Sequence, residues 1–448
     1  MDITKLTKPS IKQIQIEYYE LLIEIFGDFF TKYKKNKDVF YKELNQENLI
    51  KTYIINKEKI EYFWKKNNHI LEDIKNLKER KVILTGDLFN NNSNPFQKYA
   101  FSSEVILLSD PLLKSWIPIT YEIENFGWKR ELFNLSNNLM LSLINTIELL
   151  EINKNLNKEV IIFYPFPENN VKKEEFNKVS DIITLNKVNE IYSKKFESYE
   201  ELELYASKIN DINELKENIF IEDNLIYDLD RGNNSNINQL DNFILNKKEM
   251  YPNISLGLNF IWNINSRTMQ SLDAIIISQN LNSSNIMESF TSNKHLKWTL
   301  ENINNKSQIK TNTQYKTEAI QTLKHKFDWF ENYPIDILIE LHKEGFIFEI
   351  QNLFNNMLEK IYKENNIQSR EKLILEFQKE INKRIKTVEK KFDAGFLFWS
   401  KKIIEVSIAS LTDFTLLKTI GIGLDVADKT KNKNKEEKVL YKFINLGK

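Results

Sequence analysis

The chain has 448 residues, no cysteine, and 63 basic residues against 63 acidic ones, so its formal net charge at pH 7 is zero. The lack of Cys excludes disulfides, thiolate nucleophiles, iron–sulfur clusters and Cys-based zinc sites, leaving oxygen and nitrogen as the ligands for any metal. The charge balance excludes a global positive field that would draw in nucleic acid or anionic membrane, so any such attraction has to be local.

Hydrophobic residues make up 41% and charged residues 28%, the proportions of a folded chain. Met1 to Pro9 carries charge and no continuous apolar run, so no signal peptide is expected and the chain is assigned to the cytoplasm. Its richest apolar stretch, Phe392 to Ala427, is interrupted by Lys401, Lys402, Glu405, Asp413, Lys418 and Asp425, so no membrane span is expected. The abundance of Lys, Asn and Ile is that of an AT-rich genome. It fits a bacterial mobile, plasmid-borne or phage-defence-type system.

In chain order, Ile14, Tyr18, Leu21, Leu22, Ile25, Phe26, Phe29 and Phe30 recur at helical steps and predict a helix over Ile11 to Tyr33. Ile60, Phe63, Trp64, Ile70, Ile74 and Leu77 predict a second from Lys57 to Arg80. The apolar runs Val82–Leu84 and Val105–Leu108, stopped by Gly86 and by Asp110-Pro111, read as buried strands. A long helix from about Arg130 to Ile152 precedes a third run, Val160 to Phe163. Strand, strand, helix, strand predicts a small α/β unit. Val171 to Glu249 reads as charged helix with a turn-rich break at Arg231 to Asn236, and Ala274 to Ile277 fits either a fourth strand or mid-helix.

Beyond Thr311 the pattern is helical, broken at Pro334 and Gly345. Ile374, Phe377, Ile381, Ile385, Val388 and Phe392 form a heptad-like seam that wants a partner helix, internal or external. The expected fold class is α+β, predominantly helical, with a small α/β portion in the N-terminal half and a helical C-terminal region. The expected divisions are an N-terminal helical segment 1–80, the α/β unit 81–170, a mixed helical region 171–310 with its insertion near 231–239, and a helical region 311–448.

Val82-Ile83-Leu84-Thr85-Gly86-Asp87 runs a strand into Gly-Asp, which would place a carboxylate where α/β sheets bind ligands. These six residues resemble one motif of the metallophosphoesterases. None of His69, His295, His325 and His342 stands in the Asp-x-His or Gly-Asn-His setting that the family uses, so the family is excluded. Asp110 ends the next strand, and with Asp87 it could hold Mg²⁺ or Mn²⁺ for hydrolysis; turn chemistry is the competing explanation for both. Asp228 and Asp230 alternate in an extended segment and form a second candidate metal pair, against an exposed turn neutralised by Arg231.

Gly421-x-Gly423 lacks the rest of any nucleotide loop, which argues against classical NTPase activity. Phe29 to Lys37 interleaves aromatics with Lys, making Lys32, Tyr33, Lys34, Lys35 and Lys37 the candidate nucleic-acid contacts. A Lys-rich helix C-terminus also suits the helix dipole without any ligand. Only six of the basic residues are Arg, the side chain that forks onto phosphate and guanine. By exclusion, the leading expectation is an interaction or regulatory subunit that associates with a protein partner or with itself. A divalent-metal hydrolase or nuclease, and a nucleic-acid-binding protein, are the alternatives.

Overall fold

The computed structural model describes residues 8–35, 46–85, 94–101, 103–113, 131–156, 158–165, 173–191, 194–211, 213–215, 253–287, 295–296, 298–300, 302–303, 334–363 and scattered positions from 369 to 384. Helix α1 (Ile11–Lys35) buries Ile14, Tyr18, Leu22, Phe26 and Phe30, a strict four-residue stripe. Helix α2 (Gln46–Lys66) and the shorter α3 (Ile70–Asn76) divide what the apolar periodicity joins. The break falls at Asn67, whose carbonyl accepts from Ile70 N. The C-terminus of α3 is closed by the buried Lys81, whose Nζ donates to the carbonyls of Ile74 at 2.9 Å, Lys75 at 3.0 Å and Leu77 at 2.8 Å. A cation on the last carbonyls of a helix satisfies orphan acceptors and complements the dipole.

Lys81 also opens strand β1 (Lys81–Thr85), which is followed by α4 (Pro95–Tyr99), β2 (Val105–Ser109), the long α5 (Glu131–Asn155) and β3 (Ile161–Tyr164). The three strands pair in parallel, Val82 beside Ile106 and Ile106 beside Ile161. Their residues Val82–Leu84, Val105–Leu108 and Ile161–Phe163 are all buried, as expected of a parallel sheet covered on both faces. With β4 (Ser284–Met287) the strand order is β3-β2-β1-β4. Helix α1 packs on α5, α2, α3 and β3.

Strand β3 lies at the sheet edge, and its outer backbone groups are taken by side chains. Gln15 of α1 donates from Nε2 to Phe163 O at 2.9 Å and accepts from Phe163 N at 2.9 Å. Asn153 of α5 accepts from Val160 N at 3.1 Å and Ile161 N at 3.3 Å.

By contact density the chain divides into one unit of Met1–Pro167, Leu281–Ser284 and Tyr315–Asp425, and a second of Glu168–Asn280, Asn285–Gln314 and Val426–Lys448. The second contains α6 (Lys173–Ile191), α7 (Tyr199–Ala206) and α8 (Leu256–Asn280). Ala274 to Ile277, open between strand and helix in sequence, is the interior of α8. Helices α7 and α8 cross closely at Gly257, whose N–H donates to Ile209 O at 3.0 Å. Toward the C-terminus of the first unit, α9 (Ile335–Lys343) follows Pro334, and Gly345, with φ of +78°, separates it from α10 (Phe346–Lys363). Buried Gln351 ties α10 to the carbonyls of Ala100 at 2.6 Å and Ser103 at 2.7 Å. Arg384 reaches Glu349 of α10 at 3.0 Å. The seam positions Ile374, Phe377, Ile381, Ile385, Val388 and Phe392 lie outside the described residues. Among the described residues no helix is long and apolar enough to cross a membrane.

A Cβ at Gly257 would stand 2.3 Å from the carbonyl oxygen of Ala206, which is backbone and cannot swing aside. Gly257→Ala is therefore expected to lower stability by about 1–3 kcal/mol through overpacking, read as a fall in thermal midpoint. An unchanged midpoint would mean that α7 and α8 separate without cost.

Candidate functional site

In sheets of this strand order the carboxyl ends of the strands form the usual ligand crevice. Asp110, the first residue after β2, stands there, and its backbone N–H continues the sheet by donating to Tyr164 O at 2.9 Å. The side chain does not open into a crevice. Asp110 is 0% exposed, and its Oδ2 accepts from Tyr18 Oη at 2.6 Å and from Trp64 Nε1 at 2.6 Å. Its Oδ1 accepts from Leu112 N at 2.9 Å, the cap of the helical turn begun by Pro111. Tyr53 adds a donor to Leu112 O. The rings pack as well: Tyr18 and Trp64 have centroids 4.7 Å apart.

Helices α1 and α2 thus place three polar aromatic tips over the end of β2. Burial raises the Asp110 pKa, opposed by the donors from Tyr18, Leu112 and Trp64. Burial also pushes the Tyr18 hydroxyl well above its usual value, reinforced by the adjacent Asp110. Tyr18 is thus kept neutral, as a donor should be. The arrangement is a buried carboxylate with both oxygens engaged by protein donors, and its chemistry is that of a structural acceptor.

Asp87, Asp228 and Asp230 lie outside the described residues, so Asp110 is the one strand-end candidate whose surroundings are defined. Among the described residues no group of three His, Asp or Glu side chains could hold a metal ion. Buried His295 lies beside the Trp298 ring, centroids 5.2 Å apart, and His342 has its pKa lowered by burial and then by Lys158. Of the basic stretch, Lys32 is exposed on the last turns of α1. Tyr33, Lys34 and Lys35 continue that helix, their side chains outside the described set, and Lys37 lies beyond it.

Sequence reasoning read Tyr18 and Trp64 as members of apolar helical faces and passed over Tyr53. A signal was there: a buried Tyr or Trp brings a donor that needs an acceptor, and Asp110 is an acid beside an apolar run.

The second unit holds another polar centre. Asn265 of α8 donates from Nδ2 to Asp181 Oδ1 of α6 at 2.9 Å and to Tyr199 Oη of α7 at 3.0 Å, while its Oδ1 accepts from Thr184 at 3.2 Å and from Ser180. Nearby, Trp262 Nε1 donates to Glu203 Oε1 of α7 at 2.7 Å. Comparison with protein-family models, with curated proteins and with solved structures finds no match to this chain.

Removing the phenol donor in Tyr18→Phe is expected to cost about 1.5–3 kcal/mol, the range for hydrogen bonds to charged groups, in chemical denaturation at pH 7. A cost below the ordinary scatter of surface substitutions would show that Asp110 does not depend on Tyr18. The pH sign follows from the raised Asp110 pKa. The unfolded chain loses this proton near 3.8 and the folded chain only at higher pH, so this group's contribution is largest below 3.8 and is lost as pH rises through its folded value. Asp110→Asn is therefore expected to be more destabilising relative to the parent at pH 4 than at pH 7. The opposite order would contradict the assigned direction.

Proposed function

We propose that this protein is an interaction or regulatory subunit of a larger assembly, engaged through the outer face of α2. The observation that carries this reading is the exposure of Ile55 and Tyr62, at 77% and 70%. They stand seven residues apart, two helical turns, and so share one side of α2. Single exposed apolar residues are ordinary on a protein surface, but two large ones aligned along one helix make a contact stripe. The opposite side of the same helix carries Tyr53, Ile60 and Trp64 into the core around Asp110, so α2 is held rigidly and its stripe is preformed. Lys59, which bonds Glu24 of α1 at 3.2 Å, stands on the same side between them and supplies part of the polar surround that interface rims share.

Native purification of the tagged chain, with mass spectrometry and light scattering, tests this. The expected result is a stoichiometric protein partner, or a dimer, that is lost in Ile55→Ser/Tyr62→Ser. Because both side chains are exposed, the variant should stay within about 0.5 kcal/mol of the parent in stability. A solitary monomer, or a complex indifferent to the double variant, would overturn the assignment of this face.

A further inference from the structure

The second unit has an exposed face of different chemistry. Glu200, Glu203 and Leu204 stand at i, i+3 and i+4 on α7 and therefore share one side of that helix. Trp262 of the antiparallel neighbour α8 joins them, its indole N–H held by Glu203 at 2.7 Å. Leu204 is 63% and Trp262 43% exposed, and each has a carboxylate for a neighbour, Leu204 along the helix and Trp262 through its hydrogen bond. Asp181 of α6 reaches the same neighbourhood through Asn265, which also bonds the Tyr199 hydroxyl at the start of α7.

Among the described residues none of Asp181, Glu200 and Glu203 forms an ion pair. Asp181 has its pKa raised by burial first, with Glu203 and Glu200 adding to the rise, so its charged neighbours are acids. Glu200 is shifted the other way by hydrogen bonds at the helix start, from its own backbone and from Ser198, which keeps it ionised. A helix end that gathers negative charge beside an exposed indole and an exposed leucine is complementary to one class of ligand.

We propose that this face docks a basic amphipathic segment of a partner protein, with its apolar residue laid on Trp262 and Leu204 and its Lys or Arg side chains meeting Glu200, Glu203 and Asp181. Trp262 suits both halves of such a ligand, because its ring offers apolar area and, through its face, attraction for a cation. The bond to Glu203 fixes the indole before binding, so less side-chain freedom is lost on association. The site lies in the second unit and does not rest on the Ile55–Tyr62 stripe.

The test uses the purified full-length chain and a fluorescein-labelled helical peptide with Leu on one face and Lys on the other, followed by anisotropy. Saturable binding is expected that weakens at least about tenfold between ~50 and ~300 mM NaCl. Glu200→Gln/Glu203→Gln keeps an acceptor for Trp262 while removing two charges, and Trp262→Ser removes the aromatic platform. Each should weaken binding by about tenfold or more, roughly 1.4 kcal/mol, with the parent's helical circular-dichroism spectrum retained. Ile55→Ser/Tyr62→Ser should bind like the parent, which separates this site from the α2 face. Equal binding by parent and charge variant, or equal binding of a peptide with Glu in place of Lys, would overturn the proposal.

Discussion

A carboxylate removed from water must be given donors or it will not be buried, and in this protein that requirement positions the first unit. Asp110 has no exposed surface, and its donors come from positions 92 and 46 residues away, Tyr18 and Trp64. Meeting it fixes where α1 and α2 sit over the end of β2, to within a hydrogen-bond length. Apolar packing alone tolerates sliding of one helix against another, since any hydrophobic contact of similar volume is nearly as good. A buried acceptor with directional bonds does not. The desolvation cost is reduced, though not cancelled, by donors that engage both oxygens, which favours one register of helices on sheet among several of similar apolar burial.

The same logic operates at the edge of the sheet. An edge strand offers unpaired N–H and C=O groups to any extended chain. On β3 those groups are covered by Gln15, whose amide supplies a donor and an acceptor in the manner of a neighbouring strand, and by the Asn153 oxygen. Gln15 lies one turn before Tyr18 on α1, so the helix that serves Asp110 also seals β3. Strand addition at that edge is blocked.

The strands were legible because parallel sheets bury both faces, so Val82–Leu84, Val105–Leu108 and Val160–Phe163 stand out as unbroken apolar runs, each opened by a charged residue. The α2–α3 break was not, because the apolar spacing continues across it: Ile60, Phe63 and Trp64 precede it, and Ile70 and Ile74 resume in nearly the same phase. Strand β4 is Ser-Asn-Ile-Met, too short and too polar to show alternation. Within the candidate site, Asp110 was legible as an acid at a strand end, but its role was not. That role is set by Tyr18 and Trp64, whose pairing is a product of the tertiary fold. The acidic indole face is hidden for a similar reason, since Glu203 and Trp262 are 59 residues apart.

Zero net charge conceals this last feature, because a sum over the chain says nothing about a patch. At physiological ionic strength a surface charge is felt over about 8 Å, so at Trp262 the acid it bonds, Glu203, counts for more than the sum over the chain. A chain balanced at 63 against 63 can therefore hold a locally negative face. Such a field accelerates encounter with cations and repels anions. The α2 stripe differs, with Lys59 paired to Glu24 beside its apolar residues. Under the two proposals made above, a ligand of the α2 face would be selected by shape and apolar area, and a ligand of the α7–α8 face by charge.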